Sequence, residues 1–186
     1  MNIRLHRFIP LMVLLAAPWL GAVAQDPDPM AALLEPGAVL LLRHALAPGV
    51  GDPPGFQLED CSTQRNLSAA GREQARALGE RLRGLGIAPA RVYSSRWCRC
   101  LETARLLDLG PVQPLPALDS FFRQRDAERS RSRAAREFLA ALPPGPPVIL
   151  VTHQVNISAL TGRFTAAGEG VVVGVSPRGE LEVRGE

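Results

Sequence analysis

Two histidines, His44 and His153, are the residues of this 186-residue sequence best placed to do chemistry. His44 closes an apolar run that begins at Ala38 (AVLLLR), and His153 closes another, VILVT, from Val148 to Thr152. Continuous apolar runs of this length read as strands buried on both faces of a parallel sheet. The carboxyl ends of parallel strands share one sheet edge, and ligands bind there. Either histidine alone could cap its strand and be satisfied locally; two in the same situation predict convergence on one cleft. Arg43 precedes His44, and Ser95-x-x-x-Arg99 sets a second arginine in the first turn of a helix that follows a strand. A guanidinium offers a planar fork of donors matched to phosphate or carboxylate. Two arginines and two histidines at one sheet edge therefore predict a cationic pocket for a phosphoryl group. A neutral imidazole can attack phosphorus if a fixed acceptor holds its other nitrogen. The arginines, with a protonated His153, would clamp the charge of a loose transition state.

The positioning elements alternate. After the strand 38–42 comes a long Gly/Pro-rich loop, 45–66. Ser68 reads as the N-cap of a helix whose Ala75, Leu78, Leu82 and Leu85 recur at helical spacing, while Arg72, Glu73, Arg76, Glu80, Arg81 and Arg83 form its solvated face. A strand over 91–94, a helix over 97–107 and a third strand over 112–115 follow. The pattern then predicts a helix over 134–142, the strand 148–152, a short helix over 156–160 and a closing hairpin, 171–176 and 181–184. Such alternation makes a mostly parallel sheet with helices on both faces.

Composition narrows the chemistry. All 21 basic residues are arginine, so neither a Schiff base nor a phosphate loop that needs lysine is available. A formal charge of +3 without aromatic-basic alternation gives no footprint for nucleic acid. The first 24 residues read as a signal peptide: Arg4 and Arg7, an apolar run from Phe8 to Leu20, then Ala22-Val23-Ala24. An uncleaved anchor is the alternative, but the run is short for a bilayer span. Cleavage would lower the charge to +1 and leave a single domain, 25–186, in the periplasm or outside the cell, with no membrane span. Of three cysteines, Cys98 and Cys100 lie about 200° apart on their helix, so they can neither pair nor share a metal, and Cys61 can bridge only one of them. A zinc site would need closer, better-phased ligands.

Four blocks, taken in order, resemble the histidine phosphatase superfamily, the phosphoglycerate mutase-like group. They are Leu41-Leu42-Arg43-His44, Leu67-Ser68-x-x-Gly71-x-x-Gln74-Ala75, Ser95-x-x-x-Arg99-x-x-x-Thr103-Ala104, and Val151-Thr152-His153. The resemblance implies a three-layer α/β/α sandwich with an antiparallel edge hairpin. It also implies metal-independent phosphoryl transfer without a cofactor. His44 matches the nucleophile that becomes phosphohistidine, Arg43 and Arg99 match the pair that holds the phosphoryl oxygens, and His153 matches the second histidine. Arg65 and Gln154 stand as candidate substrate contacts, although Arg65 could equally serve to anchor its loop. Cys100 stands where the family packs a small apolar residue against the sheet, so the expected bridge is Cys61–Cys98, with Cys100 a buried free thiol.

The chain departs from the family at two points. Ala45 replaces the usual glycine after Arg-His. The acid that protonates the leaving oxygen is missing from both customary places, which hold Ser120 and Gln154. Asp119 is the nearest replacement, with Glu59, Asp60, Asp126 and Glu128 behind it. The six arginines from Arg123 to Arg136 read either as a solvated face or as contacts for an anionic substrate. The expected activity is an exported phosphatase acting on a small phosphomonoester, and that location would offer envelope sugar phosphates. The alternatives are a phosphohistidine or phosphoramidate phosphatase and a weakly catalytic phosphate-binding module.

Overall fold

Alternation along the first strand decides how the layers assemble. In β1 (Ala38–Arg43), Leu40 and Leu42 enter one core and Val39 and Leu41 the other, because successive strand side chains point to opposite faces. All four are buried, so each face of the strand needs a cover. The computed structural model, which describes residues 28–185, supplies helices on both sides. The leader expected over residues 1–24 lies outside the described residues.

After β1 come α1 (Ala69–Gly84), β2 (Arg91–Ser94), α2 (Cys98–Leu107), β3 (Val112–Pro114), α3 (Glu128–Ala140), β4 (Val148–Thr152), α4 (Gln154–Thr161), β5 (Gly170–Val175) and β6 (Leu181–Gly185). The strand order is β3-β2-β4-β1-β5-β6. The first four of these are mutually parallel, and β5 and β6 add an antiparallel edge hairpin. This mixed sheet between helical layers is the expected α/β fold. Two helix starts differ from expectation. α3 begins at Glu128, because its Arg-rich first turns carry no apolar period and only Ala135 and Leu139 are buried. α4 begins directly after His153.

Register places the two histidines. Arg43 lies opposite Thr152 in the parallel β1–β4 ladder, so His44 and His153 leave the sheet side by side. The His44 N–H donates to the Thr152 carbonyl at 3.0 Å. The loop that follows is pinned to α1. Ser68 N–H donates to the Leu46 carbonyl at 3.0 Å, and Leu46 N–H donates to Gln74 Oε1 at 3.0 Å. Gly71 makes that approach possible, since a Cβ there would collide with the Leu46 backbone. Gly79 does the same for α1 against the Leu107 carbonyl of α2. Among the described residues no helix is long and apolar enough to cross a membrane.

A Cys61–Cys98 disulfide ties the loop to the start of α2, and Cys100 is a buried free thiol, as the helix phase and the family pattern led us to expect. With 37 residues separating the cysteines, the chain-entropy model assigns the bridge a stabilisation of roughly 3–4 kcal/mol. Peptide mapping without reduction should yield the Cys61–Cys98 pair, and the Cys61→Ser/Cys98→Ser variant should lose stability on that scale in denaturant melts. A Cys61–Cys100 crosslink, or an unshifted midpoint, would contradict the assignment.

Candidate active site

The cavity at this sheet edge encloses about 200 Å³. Its wall carries His44, His153 and the guanidiniums of Arg43, Arg65, Arg99 and Arg123, against a single carboxylate, Asp52. Burial, followed by repulsion from Arg99, lowers both Arg43 and Arg65 from the ordinary arginine value. Nε of Arg43 and Nε of Arg99 are buried donors without a protein partner. Crowded positive charge with unspent donors is what an anion site looks like before its anion arrives.

The surroundings of His44 fix its tautomer and charge. Its Nδ1 lies 2.8 Å from the Ala45 carbonyl, which can only accept, so Nδ1 carries the proton and Nε2 keeps its lone pair. Burial, then Arg99, lowers its pKa to about 3, and the ring is neutral across the physiological range. Ala45, buried where the family has glycine, is accommodated without displacing this bond, and its N–H donates to Thr103 Oγ1 at 3.0 Å.

Arg99 is held by a residue that sequence reasoning missed. Asp52, from the Gly/Pro-rich loop, accepts from Arg99 Nη1 at 2.7 Å and Nη2 at 3.2 Å. It also accepts from the Arg65 N–H at 3.1 Å and Trp97 Nε1 at 3.0 Å. Burial works to raise the Asp52 carboxyl, but these donors together hold it below its ordinary value. The ion pair is buried on both sides. It occupies both Nη atoms of Arg99 and leaves Nε as a buried donor without a protein partner. The only sequence signal for Asp52 was its place in the loop following His44.

Arg65 is a loop anchor that also reaches the wall. It lines the cavity, and it also anchors the loop by donating to the Gly51 and Ala47 carbonyls. Gln154 lies on the wall, with its amide donating to Ser158 Oγ at 2.8 Å. The 123–136 arginines divide: Arg123 lines the cavity and donates to the Asp52 carbonyl at 2.6 Å, whereas Arg133 pairs with Glu137 on the exposed face.

Two expectations need correction. His153 is not protonated in the unliganded site, since burial, then Arg99 and His44, push it well below its ordinary value. Its ring sits 5.5 Å from that of His44, centroid to centroid. Asp119 is not placed as a proton donor either. It does not line the cavity; it is fully buried and clamped by Arg96, whose Nε and Nη2 reach Oδ2 at 2.9 and 2.6 Å. Its Oδ1 accepts from the Arg96 N–H at 3.0 Å and from Ser95 Oγ at 3.4 Å. Ser95 Oγ is in turn 2.9 Å from His153 Nε2, so Asp119 acts on the site through Ser95. The alternatives Glu59, Asp60, Asp126 and Glu128 do not line the cavity. Glu102 pairs with Arg72 across α1 and α2. No trio of His, Cys, Asp or Glu side chains among the described residues could hold a metal ion.

A family model described as the histidine phosphatase superfamily (branch 1) matches residues 39–122. Solved structures share the fold at low identity. One is a mycobacterial glucosyl-3-phosphoglycerate phosphatase in complex with inorganic phosphate, with TM-score 0.57, 18% identity, and coverage of 80% of this chain and 95% of that one. Another is a candidate α-ribazole-5′-P phosphatase of Escherichia coli, with TM-score 0.55, 21% identity, and coverage of 80% and 94%. A third is a candidate phosphohistidine phosphatase, SixA, of Agrobacterium tumefaciens, with TM-score 0.54, 20% identity, and coverage of 80% and 96%. No curated protein sequence matches the chain.

Asp119→Asn should lower turnover of alkyl and aryl phosphates by similar factors, because it loosens Ser95 and His153 instead of removing a proton from the reaction. A loss confined to alkyl substrates, measured as kcat on a matched pair, would restore Asp119 as the donor.

Proposed function

We propose that this chain belongs to the histidine phosphatase superfamily, whose model matches residues 39–122, and is an exported phosphatase that hydrolyses a small phosphomonoester through a phosphohistidine on His44. The observation that carries the reading is the tautomer of His44: Nδ1–H is spent on the Ala45 carbonyl, and a neutral Nε2 remains in a cavity ringed by arginines. Nε2 attacks phosphorus in line, the bond from phosphorus to the leaving oxygen breaks, and the phosphoryl group rests on His44. Arg43, Arg65 and Arg99 take the charge on the equatorial oxygens, which is the electrostatic work a loose transition state requires. A seated dianion offsets the arginines, which favours proton uptake by His153 and lets it donate to the same group. The departed oxygen takes its proton from solvent; water then attacks phosphorus, the P–N bond breaks, inorganic phosphate is released and neutral His44 is regenerated. The amino-terminal pattern of residues 1–24 and the disulfide support export to the periplasm or beyond, where envelope phosphates would be the available pool. In this reading the arginines supply the positive charge, without a metal or cofactor.

One observation favours a second reading. Among the described residues the only carboxylate on the cavity wall, Asp52, is committed to Arg99, so none of them offers strong acid assistance. Leaving groups that depart easily are favoured, and a phosphoramidate such as phosphohistidine is one.

His44→Ala should abolish turnover, and Arg99→Ala should cost on the order of 10²-fold or more in kcat. Rapid quench with labelled substrate should trap an acid-labile, base-stable phosphoenzyme in the native protein and none in His44→Ala. Full activity of His44→Ala would overturn the mechanism. Tight phosphate binding with no turnover of any ester or phosphoramidate would leave a binding module.

A further inference from the structure

We propose that the organic part of the substrate is apolar, an aryl or alkyl group and not a sugar or other polyol. The inference rests on the reading above only for where the phosphoryl group sits. Besides its basic and polar groups, the cavity wall carries Val50, Phe56, Trp97, Phe122 and Val155. Val50 and Phe56 come from the loop after β1 and Trp97 from the turn before α2. Phe122 follows β3, and Val155 belongs to the first turn of α4. No single helix stripe explains five apolar residues gathered from four segments. Aromatics make up 5% of the chain, yet three of them meet here.

Trp97 and Val155 are nearly buried, but Val50 is 85% exposed and Phe122 42% exposed. Exposed hydrocarbon at the mouth of a charged pocket is favourable only when something apolar covers it. The rings are also steadied. Phe56 lies 5.7 Å from Trp97, centroid to centroid, and the Arg125 guanidinium stands 5.5 Å from the Phe122 centroid. Trp97 has its one polar atom on Asp52, so only ring carbon is left to offer a ligand. Sugar hydroxyls placed against these side chains would lose water partners without gaining protein ones. The easily departing aryl groups favoured by the missing acid have the same apolar character.

Non-hydrolysable alkylphosphonates separate the head group from the body. Calorimetric titration of the full-length protein with methyl-, butyl-, hexyl- and phenylphosphonate should show affinity rising about three- to fourfold per methylene covered. 3,4-Dihydroxybutylphosphonate, matched to butyl in length, should bind no better than methyl. Val50→Ser/Phe122→Ser should at least halve the slope of log affinity against chain length. A flat series, a preference for the dihydroxy compound, or a slope the double variant leaves intact would overturn the inference. Parallel assays of ester turnover keep the two readings apart: a sloped series without turnover supports the apolar body and sinks the phosphatase, and turnover with a flat series does the reverse. If no phosphonate binds, both fall.

Discussion

The buried pair of Arg99 and Asp52 is the constraint on which the site depends. Arginines packed at one sheet edge repel each other, and burial deprives them of solvent. A single carboxylate lets that arrangement persist without a ligand. It neutralises one guanidinium, receives the backbone of Arg65 and the indole of Trp97, and pulls the loop after β1 over the cavity. Removing one partner of a buried pair costs about 3–5 kcal/mol, because the other charge is left stranded. The remaining devices reinforce the pair. The disulfide holds Cys61 to the residue before Arg99, and Arg123 binds the Asp52 carbonyl from the opposite bank.

Burial, then the neighbouring Arg99, keeps both histidines neutral, and the one carboxylate on the wall among the described residues, Asp52, is committed to Arg99. For His44 this neutrality suits the proposed attack, which only a neutral ring can make. For His153 the proposed reading makes proton affinity depend on the phosphoryl group in the cavity.

Much of this was legible in the sequence because it is local. The runs ending in His44 and His153 fix strand, burial and edge at once, and the Ser95-to-Arg99 spacing fixes a helix start. The cysteine phase on that helix was legible for the same reason. Asp52 and Asp119 were not, because a carboxylate's role depends on which guanidinium it meets across the fold. Asp119 stands close to the family's acid position, yet Arg96 and Arg131 turn it inward. Asp52 sits in a Gly/Pro-rich loop whose path is set by contacts distant in sequence, among them those to Trp97, Arg99 and Arg123. The apolar wall was hidden likewise, since Val50, Phe56, Trp97, Phe122 and Val155 share no period.

A crystal structure of the protein loaded with vanadate tests the arrangement most directly. Vanadium should be bonded to His44 Nε2, with equatorial oxygens on Arg43 and Arg99 and with Asp52 still in the outer fork of Arg99. Vanadium bonded to His153, or Asp52 expelled from Arg99 by the anion, would contradict it.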